Sequence, residues 1–300
     1  AVNDVKTPRQ GLAMKPIRTV AVFPTLFTLG NLVCGFFALV VAARVDVPIS
    51  REPPTSATRA VREFDRSDEN HNLMLCGWLV FLAMIFDALD GHVARLTGAP
   101  TDFGAELDSL ADMVTFGVAP GFLLVKMCHS FTFLYRDAAI QPVWLVAATF
   151  AVCAALRLAR FNVESDENDD HMHFSGLPSP AAGGTIASFA LLFYTLRLES
   201  NTFPYARQVD EGVQMALPLV GLVLAVLMVS RVPYPHVVNQ FFRGHKSFGH
   251  VVALVFALVV VMAMYGYAVP AVCTTFALAP PVWYLYQRLV QRRADKEPLF

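Results

Sequence analysis

The chain has 300 residues, of which only 16% are charged and 55% are hydrophobic, whereas about 25% of the residues of an ordinary soluble domain are charged. The formal net charge of −1, and the lack of a basic run with interleaved aromatic residues, argue against a nucleic-acid partner. The composition therefore predicts an integral membrane protein. The first apolar segment is long and no small-residue cleavage site follows it, so we expect no cleaved signal peptide.

Eight apolar segments are long enough to cross a bilayer as helices, because about 20 apolar residues span its hydrocarbon core. They cover residues 22–43, 73–96, 105–127, 140–161, 177–197, 212–231, 249–267 and 270–289. The last two are nearly continuous, and Pro270 is the predicted turn between them. Since lipid-exposed backbone must satisfy its own hydrogen bonds, the predicted fold is all-α, a polytopic transmembrane bundle.

The remaining segments flank or connect this predicted membrane domain of residues 22–290. Residues 1–21 mix basic and apolar side chains, so they are either an interfacial helix or the positive flank of the first span. Residues 45–71 are predicted to form a solvated loop outside the membrane. Residues 291–300 are predicted to be a cytoplasmic tail.

The orientation of the bundle follows from its lysines and arginines. Most of the 23 basic residues fall on the cytoplasmic side if the N-terminus is cytoplasmic, although several arginines between Arg44 and Arg66 oppose this bias. The sequence therefore predicts that residues 86–112, between the second and third spans, face the cytoplasm. In a bacterium the membrane would be the inner one.

Residues 86–112 (FDALDGHVARLTGAPTDFGAELDSLAD) place several acids between two uncharged apolar segments. Residues that are three or four positions apart share one face of a helix. One such face, at the end of the second span, carries Asp87, Asp90, Gly91, Ala94 and Arg95. Another, at the start of the third span, carries Gly104, Asp108 and Asp112.

Folding the connecting segment back brings the four aspartates of these faces together near the membrane surface. Four anions cannot share one site unscreened, and hard divalent cations such as Mg²⁺ or Mn²⁺ prefer oxygen ligands. Two such ions would suit a pyrophosphate substrate. The alternative is a surface hairpin whose acids face water, which fits Asp102 and Glu106 because they lie on neither face.

The order Asp-x₂-Asp-Gly-x₂-Ala-Arg-x₈-Gly-x₃-Asp-x₃-Asp, over residues 87–112, resembles the signature of the CDP-alcohol phosphotransferase family. The resemblance implies two divalent ions on Asp87, Asp90, Asp108 and Asp112. It implies catalytic roles for Asp108 and Asp112, with Asp112 taking the proton of the acceptor alcohol, and it implies a homodimer. It also implies that CDP-diacylglycerol contacts Gly91, Ala94, Arg95 and Gly104.

Two polar residues inside the first span, Thr28 and Asn31, have two interpretations. They either contribute to the binding of CDP-diacylglycerol or form hydrogen bonds between helices.

Further stretches are similar to the phosphatidylserine synthase branch of that family. They are PTLFTLGNLVCGFFA (24–38), DMVTFGVAP (112–120), RLARFN (157–162) and FSGLPSPAAG (174–183). Thr25 departs from the asparagine that is frequent in the branch. The branch implies transfer of a phosphatidyl group from CDP-diacylglycerol to L-serine, with release of CMP.

Arg157, Arg160 and Asn162 are the predicted binding residues for serine and phosphate, because the arginine fork matches a carboxylate or a phosphate. Anchoring at the cytoplasmic face is the alternative for the two arginines. Three rival functions remain: a sister enzyme that uses glycerol 3-phosphate, inositol phosphate or choline; a divalent-cation transporter; and an inactive homologue.

Overall fold

The computed structural model describes residues 22–45, 56–97, 102–128, 141–167, 176–199, 204–234 and 259–290. Every regular element within these ranges is a helix. The helices are α1 (Val22–Ala43), α2 (Ser56–Thr97), α3 (Asp102–Asp112), the π-helical segment π1 (Met113–Val118), α4 (Ala119–Met127), α5 (Pro142–Glu167), α6 (Ser179–Leu198), α7 (Ala206–Val229) and α8 (Tyr265–Val290). The predicted flanking segments 1–21 and 291–300 lie outside the described residues.

Seven helical stretches among the described residues are long and apolar enough to cross a membrane. They are Thr25–Ala43, Asp68–Val93, Phe103–Met127, Pro142–Val163, Ser179–Leu198, Ala206–Val229 and Tyr265–Arg288. The third of them contains α3, π1 and α4 without a break. The predicted all-α, multi-pass membrane architecture is therefore confirmed, while residues 249–258 of the predicted seventh span lie outside the described part.

The predicted turn at Pro270 is wrong. The helical residues 259–263 end at a turn at Met264, and Pro270 lies inside α8. The Met264 carbonyl accepts hydrogen bonds from the amides of Tyr267 (3.0 Å) and Ala268 (2.8 Å), so helical bonding is established before the proline is reached. A proline inside a transmembrane helix is tolerated, because neighbouring groups can satisfy the carbonyl that it leaves unpaired.

The predicted solvated loop over residues 45–71 is also partly wrong, because its second half is helical. α2 has 42 residues, so it is about 63 Å long at about 1.5 Å per residue. That is about twice the 30 Å thickness of a hydrocarbon core. Residues 56–67 of α2 include five charged residues. We therefore expect the first turns of α2 to extend beyond the hydrocarbon core.

Small residues allow the helices to pack closely. α1 lies along α2, α2 packs against α6, and α5 packs against α7, π1 and α4. A Cβ at Gly77 would lie 2.9 Å from the Ala187 carbonyl oxygen, and one at Gly121 would lie 3.0 Å from the Ala147 carbonyl oxygen. Backbone contact through glycine is typical of helix packing in membranes, where apolar side chains gain little by leaving lipid.

Candidate active site

Three aspartates from two helices meet at one end of the bundle. Asp87 and Asp90 lie one turn apart near the end of α2, and Asp108 lies on α3. One carboxylate oxygen of each lies within 4.8 Å of one oxygen of each of the others. Asp90 is only 4% exposed, whereas Asp87 and Asp108 are half-buried. Three of the four aspartates that were predicted to converge thus meet at one point.

The three carboxylates have the properties of a cation-binding site. The charges of Asp87 and Asp90 act on the Asp108 carboxylate, and anions at such a separation repel one another unless a cation screens them. Asp90 Oδ2 and Asp108 Oδ1 are buried and have no hydrogen-bond partner among the described residues. Buried acceptors without a donor are costly. An all-oxygen donor set with such acceptors fits a hard divalent cation.

Asp112, the fourth predicted ligand, lies outside this three-oxygen group. It is 7% exposed, and its Oδ1 accepts a hydrogen bond of 3.0 Å from Asn31 Nδ2 of α1. The charges of Asp87, Asp108 and Asp90 still act on it. Asp112 is therefore a neighbour of the cluster that is held separately, by a neutral amide.

The π-helical segment begins directly after Asp112 and was not predicted from the sequence. The Ala119 amide donates to the Val114 carbonyl, five residues back, which is the bonding pattern of a π-helix. Such segments occur frequently at functional sites. The stretch MVTFGV is part of the quoted DMVTFGVAP motif, and that motif was the only available signal.

Thr28 adds a second contact between α1 and the acids. It is 3% exposed, and its hydroxyl is hydrogen-bonded to the Asp90 carboxylate. Asn31, one turn further along α1, is 0% exposed. Both residues therefore contact aspartates in the structure, and their predicted contact with CDP-diacylglycerol remains untested.

The predicted serine and phosphate ligands lie on the same side of the bundle. Arg157 donates a hydrogen bond of 2.6 Å from Nη1 to Ser179 Oγ at the start of α6, and its charge acts on Asp112 and Asp87. Asn162 is hydrogen-bonded to Ser109, which follows Asp108, at 3.0 Å from Nδ2 to Oγ. Arg157 is thus a cation next to the acids, and Asn162 is tied to the helix that carries Asp108.

Arg160 differs from Arg157 in its surroundings. Its Nη1 lies 3.5 Å from the Val229 carbonyl oxygen, at the last residue of α7. A cation there interacts favourably with the negative end of a helix dipole. This contact joins α5 to α7 at the same end of the bundle as the acids.

The other residues that are predicted to bind CDP-diacylglycerol are described only in part. Gly91 and Gly104 are half-buried and flank the acids in α2 and α3. Ala94 and Arg95 belong to the helical part of α2, but their side chains lie outside the described residues.

The turn before α6 positions Ser179. Gly176 has a φ of +94°, a backbone conformation that residues with a Cβ rarely adopt. Its amide donates to the Val232 carbonyl (2.9 Å), and the Leu177 amide donates to the Leu227 carbonyl (3.0 Å). A Cβ at this position would lie 2.7 Å from the Met228 carbonyl oxygen. The glycine of the quoted FSGLPSPAAG motif thus lets this turn dock against the end of α7.

The segment after α7 is fixed in turn to α8. Tyr234 donates a hydrogen bond of 2.9 Å to the Ala277 carbonyl, and burial raises the pKa of its phenol. With Pro233 and Trp283 it lines an apolar groove of about 590 Å³. This groove contains none of the predicted site residues.

Comparison with known proteins identifies sequence relatives of this chain. A sequence model of the CDP-alcohol phosphatidyltransferase family matches residues 21–227. A protein of Helicobacter pylori named CDP-diacylglycerol–serine O-phosphatidyltransferase is 32% identical over 223 residues, which cover 74% of this chain and 75% of that protein. A Bacillus subtilis protein of the same name is 29% identical over 224 residues, 75% of this chain and 93% of that protein.

An archaeal protein gives a similar result over a shorter stretch. The Methanocaldococcus jannaschii protein named CDP-diacylglycerol–serine O-phosphatidyltransferase is 35% identical over 164 residues, 55% of this chain and 65% of that protein. The chain thus spans somewhat less than two thirds of the length of this relative and about three quarters of the Helicobacter protein.

Proposed function

Because the chain belongs to the CDP-alcohol phosphatidyltransferase family, we propose that it transfers a phosphatidyl group from CDP-diacylglycerol to the hydroxyl of L-serine, with release of CMP. The observation that carries the proposal is the partly buried cluster of Asp87, Asp90 and Asp108, with Arg157 and Asp112 beside it. The names of the Helicobacter, Bacillus and Methanocaldococcus relatives support serine as the acceptor.

We propose that Asp87, Asp90, Asp108 and Asp112 hold two divalent ions, Mg²⁺ or Mn²⁺. The two unpartnered buried oxygens of Asp90 and Asp108 support this for the first three residues. Divalent ions bound there would neutralise charge on the pyrophosphate of the donor. Gly91, Ala94, Arg95 and Gly104 are proposed to surround the nucleotide, since glycine and alanine leave room for a close approach to the backbone.

Arg157 and Asp112 are the proposed contacts of the acceptor, L-serine. In the proposed reaction the serine hydroxyl oxygen attacks the lipid-side phosphorus, and the bond between that phosphorus and the bridging oxygen of CMP breaks. Asp112 takes the hydroxyl proton, because a neutral hydroxyl is a weak nucleophile without a base. Arg157 is proposed to hold the serine carboxylate, with Arg160 and Asn162 on the same side for phosphate and polar contacts.

The proposed site faces the cytoplasm, and the proposed assembly is a homodimer. The first follows from the distribution of Lys and Arg, and the second follows only from the family resemblance. Accessibility of a cysteine introduced at Glu106 to a membrane-impermeant reagent, in sealed inside-out against right-side-out vesicles, tests the orientation. Light scattering of the detergent-purified protein tests the dimer.

The central experiment measures CMP release by the detergent-purified protein with CDP-diacylglycerol and Mn²⁺ or Mg²⁺. L-serine is compared with glycerol 3-phosphate, inositol phosphate, choline and no acceptor. We expect release with serine alone and none after chelation. Release with another alcohol alone would refute serine as the acceptor but keep the reaction class. No release with any of them, together with cation flux in liposomes, would favour a transporter.

The base assignment has its own test. Asp112→Asn keeps the size of the side chain and removes the proton acceptor, so turnover is expected to fall at least about 10³-fold. Binding of CDP-diacylglycerol is expected to change by less than about threefold, because the carboxylates of Asp87, Asp90 and Asp108 are all kept. Retained turnover would refute the role of Asp112.

A further inference from the structure

Asn31 combines complete burial with an incompletely satisfied side chain. It is 0% exposed, its Nδ2 donates to Asp112 Oδ1 at 3.0 Å, and its own Oδ1 is buried without a hydrogen-bond partner among the described residues. Rotating the amide by half a turn would set oxygen against oxygen, so the bond to Asp112 fixes its orientation. A buried acceptor without a donor is costly, so Asn31 stabilises the fold less than a fully paired amide would.

The backbone around Asn31 is held against the π-helical segment. The Thr115 hydroxyl donates to the Asn31 carbonyl oxygen at 3.2 Å, and Thr115 is 0% exposed. One turn along α1, a Cβ at Gly35 would lie 2.9 Å from Thr115 Cα. α1 therefore contacts the backbone of π1 directly, three residues after Asp112, and the amide of Asn31 has a fixed position relative to that carboxylate.

We propose that Asn31 is the positioning residue of Asp112, an inference that rests on the proposed function. Its amide N–H holds Oδ1, so that Oδ2 is the oxygen that receives the hydroxyl proton. A carboxylate turns easily about χ2 when nothing holds it, and a proton acceptor must be within hydrogen-bond reach of the hydroxyl. Asn31 acts through Asp112 and does not touch CDP-diacylglycerol.

The charges around position 31 favour a neutral hydrogen-bond donor there. Asp87, Asp90 and Asp108 already act on Asp112, so a further carboxylate at this position would add repulsion. A lysine or arginine would pair with Asp112 and compete with its role as base. A neutral donor orients the carboxylate while leaving its charge available.

Kinetics of purified variants test this assignment. Asn31→Leu keeps a similar volume and removes the donor, so kcat for CMP release with serine is expected to fall at least about 30-fold while KM for CDP-diacylglycerol changes by less than about threefold. The matched control is Cys76→Ala, which removes another buried hydrogen bond to α1, from Cys76 Sγ to the Ala38 carbonyl at 3.3 Å. Its kcat is expected to stay within about twofold of the parent value.

A second pair of variants covers the case in which Asn31→Leu does not fold. Thr115→Val removes the hydroxyl that holds the Asn31 carbonyl, and kcat is expected to fall about fivefold, whereas Thr115→Ser is expected to recover most of that loss. Equal kcat in the two Thr115 variants would overturn the proposal in that case.

The outcomes separate this inference from the proposed function. An active parent protein with unchanged kcat in Asn31→Leu would overturn the positioning role and leave the function intact. A rise in KM for CDP-diacylglycerol at constant kcat would also overturn the positioning role, because Asn31 would then bind CDP-diacylglycerol. If the parent protein uses another acceptor alcohol, serine is refuted and the same kinetic comparison is made with that alcohol. A parent protein that is inactive with every acceptor would overturn both.

Discussion

Neutralising Asp108 tests the cation site without requiring any turnover. The oxygens of Asp87, Asp90 and Asp108 lie within 4.8 Å of one another. At that separation and an effective dielectric constant of about 20, each pair of charges repels by about 3.5 kcal/mol. Asp108→Asn removes two of the three pairs. Since a crowded carboxyl group can escape part of this repulsion by binding a proton, we expect a net gain in stability of about 1–3 kcal/mol in chelator.

Divalent ions should narrow or reverse the difference in stability between the parent protein and Asp108→Asn. A ligand at about 100 times its Kd stabilises the parent protein by about 2.7 kcal/mol, and Asp108→Asn is expected to lose most of this gain. Thermal melts of the detergent-purified protein, followed by tryptophan fluorescence with EDTA, Mg²⁺ or Mn²⁺, measure both effects. Glu106→Gln is the matched control, because Glu106 is exposed on the same helix and lies outside the cluster. Identical behaviour of the two variants would refute the site.

Three further predictions concern positions around and away from the acids. Arg157→Gln should lower kcat/KM for serine at least about tenfold, because it removes the cation beside the acids; Ser179→Ala, which removes only its partner, should cost less, and equal losses would contradict a role for the charge. Gly176→Ala should destabilise the protein by at least about 2 kcal/mol, because the φ of Gly176 is positive and a Cβ there would meet two carbonyl oxygens. Thermal melts measure this loss, and a value below about 0.5 kcal/mol would refute the strain. Arg197→Met should lower the melting temperature, because it leaves the largely buried Asp210 without its cation, while kcat stays within about twofold.

The sequence predicted those features that depend on spacing along one helix. Long apolar runs predicted the membrane spans, since only length and hydropathy are needed for them. The i, i+3 spacing of Asp87 and Asp90 predicted their common face, and the polar turn before α3 predicted their meeting with Asp108. These signals are local, so they do not depend on how the helices pack against one another.

Features that depend on a neighbouring helix could not be predicted in the same way. The π segment after Asp112 occurs where α1 approaches the backbone at Gly35, and nothing in the stretch MVTFGV specifies that approach. The bond from Asn31 to Asp112 joins residues 81 positions apart. The first turns of α2 were missed for a local reason. Residues 45–71 contain many charged residues and the adjacent Pro53 and Pro54, which indicated a loop, but both prolines lie before Ser56, where α2 begins.

The aspartates at the two ends of the bundle differ in how their buried oxygens are paired. At the far end, Arg197 donates to Asp210 Oδ1 at 3.2 Å and to Asn70 Oδ1 at 2.8 Å. Gln214 donates to Asp210 Oδ2 at 2.7 Å, so both oxygens of this aspartate have donors.

The cluster around Asp90 contrasts with that network. Two of its buried carboxylate oxygens have no donor among the described residues, although Arg157 is near enough for its charge to act on Asp87. A polar network that only joins helices is expected to pair its buried acceptors, as the one around Asp210 does. The same chain gives donors to both oxygens of Asp210 and, among the described residues, leaves Asp90 Oδ2 and Asp108 Oδ1 without one. We infer that these two oxygens bind a cation.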